Sequence, residues 1–245
     1  MDGMTAPASL PFFHDVEPAR RVREDLLDIH LAESSTTGRR PAVIFVHGGP
    51  VPEDHRPRPR DSEVFLGYGA LAAAAGLVGI TFDHRLHSDM HYPQAADDVA
   101  AVVERTRALD VVDADRVVLW FFSGGGGLAA SWLRDAPSWL RGIALTYPVL
   151  AAPPGWAGDG PRFDAVSAVS VNPTLPTLLV RVGREYEFVA HTQDAFVAAA
   201  RDADASLEVL DIAHASHGFE VEAYDAECRA TVDRAMGWVA TTLRR

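Results

Sequence analysis

The stretch Val117-Val-Leu-Trp-Phe-Phe-Ser-Gly-Gly-Gly-Gly127 decides the fold. Its six consecutive apolar residues, two β-branched and three aromatic, predict a strand over 116–122 that is buried on both faces. The chain then changes character in one step: Ser123 and four glycines predict a sharp turn, and Leu128 to Arg134 a helix. A serine at a tight turn from a buried strand into a helix is lifted above the sheet edge. Backbone N–H groups and the helix N-terminus then face any anion that forms there. Gly124 and Gly125 permit the strained turn and close packing of the helix. Read alone, the segment serves equally well as a glycine-rich phosphate loop or a plain helix cap.

Outward from this turn, short β-branched runs alternate with alanine-rich helical ones. Val22 to Glu33 has extended character, and Pro41-Ala-Val-Ile-Phe-Val46 is an apolar strand broken by His47-Gly48-Gly49-Pro50. Val51 to Ser62, rich in proline and charge, is a loop. Helices are expected over 64–75 and 92–109, with a strand over 77–82 between them that runs into Asp83-His84-Arg85. Beyond the central turn, strands are expected over 140–147, 175–182 and 207–212, and helices over 189–201 and 225–243. Apolar strands joined by helical crossovers imply a mostly parallel sheet with helices on both faces. Residues 1–20 read as an N-terminal arm and 21–245 as one α/β domain, with 151–174 as a small lid.

Composition removes whole chemistries. All 22 basic residues are arginine and none is lysine. A Schiff-base lysine, the phosphate-gripping lysine of a P-loop or kinase, and a Ser–Lys dyad are therefore excluded. A net charge of −12 argues against nucleic acid or an anionic membrane as partner. The single Cys228 rules out an intramolecular disulfide and lacks the companions of a structural zinc site. With no signal-like N-terminus and no apolar run of about 20 residues, a soluble cytoplasmic protein is the expectation.

Several spaced motifs in order carry a resemblance: His47-Gly-Gly-Pro50, Phe82-Asp-His-Arg85, Leu119-Trp-Phe-Phe-Ser-Gly-Gly125, Arg181-Val-Gly183 and His217-Gly-Phe219. From about Pro41 to the last helix the chain resembles an α/β-hydrolase of the dienelactone hydrolase and small carboxylesterase group. The resemblance implies the α/β-hydrolase fold and a serine hydrolase acting on a small ester, lactone or thioester, with no cofactor. A specialised enzyme performing cyclisation or acyl transfer, or a ligand-binding protein on the same scaffold, is the alternative.

On this resemblance Ser123 is the nucleophile and His217 its base. Glu185 stands where relatives place the acid after Val182-Gly183, with Glu187 as runner-up and Asp194 assigned to the helix. Gly124 and Gly49 are the expected oxyanion donors, with Val51 as fallback because Pro50 has no N–H. Phe121 departs from the Gly-x-Ser-x-Gly form of the turn. With Phe122 and His84 it is expected to line the substrate pocket, and Tyr147 and Trp156 are expected either to line it too or to pack in the core. His84, His87, Asp89 and His91 fall within eight residues, but their loop-like spacing predicts no metal, and the histidines are placed near the site entrance.

Overall fold

The computed structural model describes residues 12, 14, 16–33, 38–152, 160–221 and 225–245. Eight strands form one sheet: β1 (Arg20–Arg23), β2 (Asp28–Leu31), β3 (Arg40–Val46), β4 (Val78–Thr81), β5 (Val112–Phe122), β6 (Leu140–Thr146), β7 (Thr177–Arg184) and β8 (Leu207–Ser216). Their order is β1-β2-β4-β3-β5-β6-β7-β8. The six strands from β4 to β8 in that order run parallel, and the antiparallel pairings are β1–β2 and β2–β4 at one edge. Among the described residues six α-helices accompany them, the last following β8: α1 (Glu63–Ala74), α2 (Tyr92–Arg107), α3 (Ala129–Asp135), α4 (Ala165–Ala168), α5 (Glu187–Asp202) and α6 (Ala226–Thr242).

The two-residue period of a strand splits the core into two layers. Along β5, Val117, Leu119 and Phe121 join a cluster with α2, α3 and α5. Val118, Trp120 and Phe122 face the opposite side and pack with α1 and α6. The buried indole of Trp120 satisfies its N–H by donating to Thr146 Oγ1 at 2.8 Å.

The expected extended segment over 22–33 is two strands, not one. Glu24 N–H donates to Leu27 O at 2.9 Å and closes a turn between an exposed β1 and a buried β2. Arg21 and Arg23 of β1 both bond the carboxylate of Asp28 and that of Asp61 in the 51–62 loop. Burial alone would raise the Asp28 carboxyl, but hydrogen bonds from Arg23 and Arg21 outweigh it and hold it below the usual range. This cluster ties the loop to the antiparallel edge of the sheet.

Strand β8 is longer than expected, running on to Ser216. The bulge in the β7–β8 register after Val182 lets Arg184 pair with Ser216, so both strands end level. Among the described part of 151–174, α4 is capped by Asp164, whose side chain accepts from Ser167 N–H. Arg134 of α3 holds this segment by donating to the carbonyls of Pro161, Arg162 and Asp164. No described helix is long and apolar enough to cross a membrane.

Candidate active site

Three strand ends deliver the key side chains. Ser123 follows β5 directly, Glu185 follows β7 and His217 follows β8. Because Arg184 and Ser216 are register partners, the residues after them leave the sheet side by side. Ser123 sits at φ +49°, the left-handed region that a sharp strand-to-helix turn demands. Its Oγ lies 2.7 Å from His217 Nε2. On the other edge of the ring, His217 Nδ1 lies 2.8 and 2.9 Å from the two oxygens of Glu185. The carboxylate can only accept, so Nδ1 carries the proton and Nε2 presents a lone pair to the serine hydroxyl.

Glu185 is the carboxylate that reaches this histidine. Its side chain is 2% exposed and also accepts the Tyr186 N–H at 2.8 Å. Glu187 is the exposed first residue of α5, where its charge faces the helix N-terminus. Asp194, on the same helix, accepts from Arg181 at 3.0 Å.

The turn after β3 closes against the serine. A Cβ on Gly124 would lie 1.9 Å from the carbonyl oxygen of Gly49, and one on Gly48 would lie 2.8 Å from Ser123 Cβ. Only glycine at 124 lets the two turns touch, and Tyr92 on α2 supports the contact by donating to Gly124 O at 2.6 Å. Behind the turn, His47 and His84 stack with centroids 3.6 Å apart. His84 Nε2 donates to His47 O at 2.9 Å and its Nδ1 accepts the Leu86 N–H at 3.3 Å. His47 Nε2 accepts the His84 N–H at 3.2 Å, while its Nδ1 donates to Gly48 O. Every ring nitrogen has a backbone partner that suits a neutral imidazole. Burial pushes His84 down to about 4, and burial with the stacked His84 pushes His47 down as well.

An open cleft of about 420 Å³ surrounds Ser123 and His217. Its walls are Gly48, Gly49 and Val51 on one side, Pro57, Pro59 and Phe65 on another, and Phe122, Tyr147 and Glu220 beneath. Two expected pocket residues are elsewhere. Phe121 is fully buried in the α2–α3 layer, because alternation along β5 turns it away from the face that Phe122 presents. His84 is buried behind His47 and locked to backbone groups, so it supports the turn and does not line the cleft. Trp156 lies outside the described residues, and residues 160–174 pack on α3 and α5 instead of over the cleft. The wall that partly covers it is the 51–62 loop.

The histidine-rich segment disperses. His87 Nδ1 bonds Val51 O at 2.9 Å and His91 Nδ1 bonds Ser88 at 2.8 Å. His214, Asp225 and Cys228 do converge among the described residues. There His214 lies between Asp225 and Glu227, and Asp225 caps α6 through the Glu227 N–H, which accounts for the grouping. Sequence reading missed Glu220 and Tyr68. They are 152 residues apart, and a single glutamate after His-Gly-Phe carries no local pattern that marks it.

A parallel sheet in this order, with the Ser123 turn after its central strand and Glu185 and His217 after β7 and β8, decides the architecture. This is the α/β-hydrolase fold. The BD-FAE family model matches residues 27–132, the part of this hydrolase fold from β2 to α3. Among solved structures, the chain is similar to EstE1, a thermophilic carboxylesterase from a metagenomic library. The two are 16% identical, the alignment covers 94% of this chain and 90% of that one, and the TM-score is 0.70. It is similar to esterase 2 of Thermogutta terrifontis phosphorylated by paraoxon, at 19% identity, 96% and 95% coverage and a TM-score of 0.65. It is also similar to brefeldin A esterase, a bacterial homologue of human hormone-sensitive lipase, at 18% identity, 100% and 81% coverage and a TM-score of 0.66. No curated protein matches the sequence.

Proposed function

We propose that this α/β-hydrolase chain is a serine esterase of the small carboxylesterase and dienelactone hydrolase type. It would cleave a carboxylic ester, lactone or thioester of a small molecule through an acyl-enzyme. The observation that carries the reading is the unbroken chain of hydrogen bonds from Ser123 Oγ through His217 to Glu185, opening on the cleft. The similarity to structures named as esterases adds to it.

In this mechanism Ser123 attacks the ester carbonyl as its proton passes to His217 Nε2. The tetrahedral oxyanion takes hydrogen bonds from the backbone N–H groups of Gly124 and Gly49, each worth a few kcal/mol. His217, now an imidazolium stabilised by Glu185, protonates the leaving alkoxide. Water then attacks the acyl-enzyme by the same route in reverse. The cleft walls of Val51, Pro57, Pro59 and Phe65 are apolar and suit a compact apolar acyl or alcohol group.

The test is a panel of p-nitrophenyl esters and lactones with wild type and Ser123→Ala, beside labelling by a fluorophosphonate. The expected result is turnover and stoichiometric labelling of wild type, both lost in a folded Ser123→Ala. Turnover that survives in that variant, or wild type that neither reacts with the panel nor labels, refutes the proposal.

A further inference from the structure

Beneath the cleft lies a carboxylate that the mechanism above does not use. Glu220 is 1% exposed, and its two oxygens each accept a tyrosine hydroxyl: Tyr68 at 2.9 Å and Tyr147 at 2.7 Å. Tyr68 belongs to α1 and is fixed among the rings of Phe45, Trp120 and Phe122, with centroids 4.9 to 5.5 Å away. Tyr147 follows β6 at φ +36°, an uncommon conformation for a bulky residue, and its ring lies 4.5 Å from that of His217. A buried ionisable side chain costs stability that an apolar one would not, so its retention calls for a task.

The geometry supplies one. Glu185 and Ser123 hydrogen-bond the two ring nitrogens of His217, but the Ser123 bond is given up when the serine attacks, and the ring then needs lateral support. Two aromatic rings flank it: Tyr186 at 5.6 Å, which is 69% exposed and so yields easily, and the closer Tyr147, whose hydroxyl is tied through Glu220 to the aromatic cluster of α1. We propose that Glu220 is a positioning residue: through Tyr147 it holds the His217 ring where Nε2 faces Ser123. Burial raises the Glu220 carboxyl while the two hydroxyls act against that shift, as expected for an acceptor sustained by its donors. The inference rests on the esterase reading of Ser123 and His217.

The test compares Glu220→Ala, Glu220→Gln and Tyr147→Phe on the best ester of the panel. The readouts are kcat, KM, the rate of fluorophosphonate labelling at Ser123, and the thermal midpoint. Tyr147→Phe is expected to lower kcat and the labelling rate about tenfold, the scale of one lost hydrogen bond, with KM within twofold. Glu220→Ala should lose at least as much, and the double variant no more than Glu220→Ala, because one tie is being cut twice. Glu220→Gln, which can still bond both hydroxyls, should recover most of the loss. If Glu220→Ala does not fold, Tyr147→Phe and Glu220→Gln decide the matter alone. A rise in KM at constant kcat, a Gln variant as poor as the Ala variant, or labelling at the wild-type rate in folded Tyr147→Phe each overturns the proposal. Failure of wild type itself to label at Ser123 would instead remove the esterase reading.

Discussion

Shortening Glu185 by one methylene tests the acid more sharply than removing it. In Glu185→Asp the charge and both oxygens survive, but the reach falls by about one C–C bond, roughly 1.5 Å. The present contacts from His217 Nδ1 are 2.8 and 2.9 Å, and β7 and β8 are register-locked up to Arg184 and Ser216. The backbone therefore cannot slide to compensate, and the carboxylate retreats to about 4 Å, beyond hydrogen-bonding distance. A hydrogen bond to a charged group contributes about 1.5–3 kcal/mol, which predicts a fall in kcat/KM of about 10- to 150-fold. Glu185→Gln should cost more, because an amide can present N–H toward Nδ1 and select the wrong tautomer. Steady-state hydrolysis of a p-nitrophenyl ester measures both, with Glu187→Gln as the control expected to match wild type. Full activity in Glu185→Asp, or an equal loss in Glu187→Gln, would show that the histidine takes its orientation from elsewhere.

The other expectations follow from packing and charge. Gly124→Ala places a methyl group 1.9 Å from the Gly49 carbonyl oxygen, a backbone atom that no rotamer can move aside. A cost of about 1–3 kcal/mol in a thermal or urea melt is expected, with most turnover lost. Asp28→Asn should destabilise by about 1–3 kcal/mol after allowance for solvent at Arg23, read in urea at pH 7. Because the folded Asp28 carboxyl lies below its unfolded value, that contribution is complete above about pH 4 and fades as pH falls further. His84 and His30 work in the next window up. Their folded values near 4 lie below the ordinary imidazole value of 6.5, so the unfolded chain binds protons first. Urea midpoints should fall as pH drops from about 6.5 toward 4, and a flat profile there would contradict the buried neutral rings.

Much of this arrangement was legible in the sequence because strong local signals coincide with it. The run at 117–122 marked a strand buried on both faces, and the glycines after Ser123 marked a sharp change of direction, which the structure makes as a short 3-10 helix over Ser123–Leu128 leading into α3. That a carboxylate at 185 would come near His217 was legible by position, since the chain leaves β7 at Gly183-Arg184. The β1–β2 hairpin was not, because exposed Arg20–Arg23 lacks the apolar alternation that marks a strand and is held by the ion pairs to Asp28 and Asp61. Phe121 was placed on the wrong face because its proximity to Ser123 in sequence outweighed the period of two along β5. His84 looked like an entrance residue until His47, 37 residues earlier, proved to occupy its ring face. Tyr68, Tyr147 and Glu220 meet only once α1, β6 and the end of β8 are in place, and no spacing in the chain announces that.

The histidine rides at the tip of β8, and among the described residues β8 is an outermost strand paired only with β7. Edge elements open more readily than the middle of a sheet. Turnover in such a molecule is therefore a gauge of its least secured strand, and it should disappear in mild denaturant while the central strands remain intact. Stabilising this protein for use would then mean fastening β8 and α6 to the body. Improvement of a core that β5 already fills would leave the working lifetime unchanged.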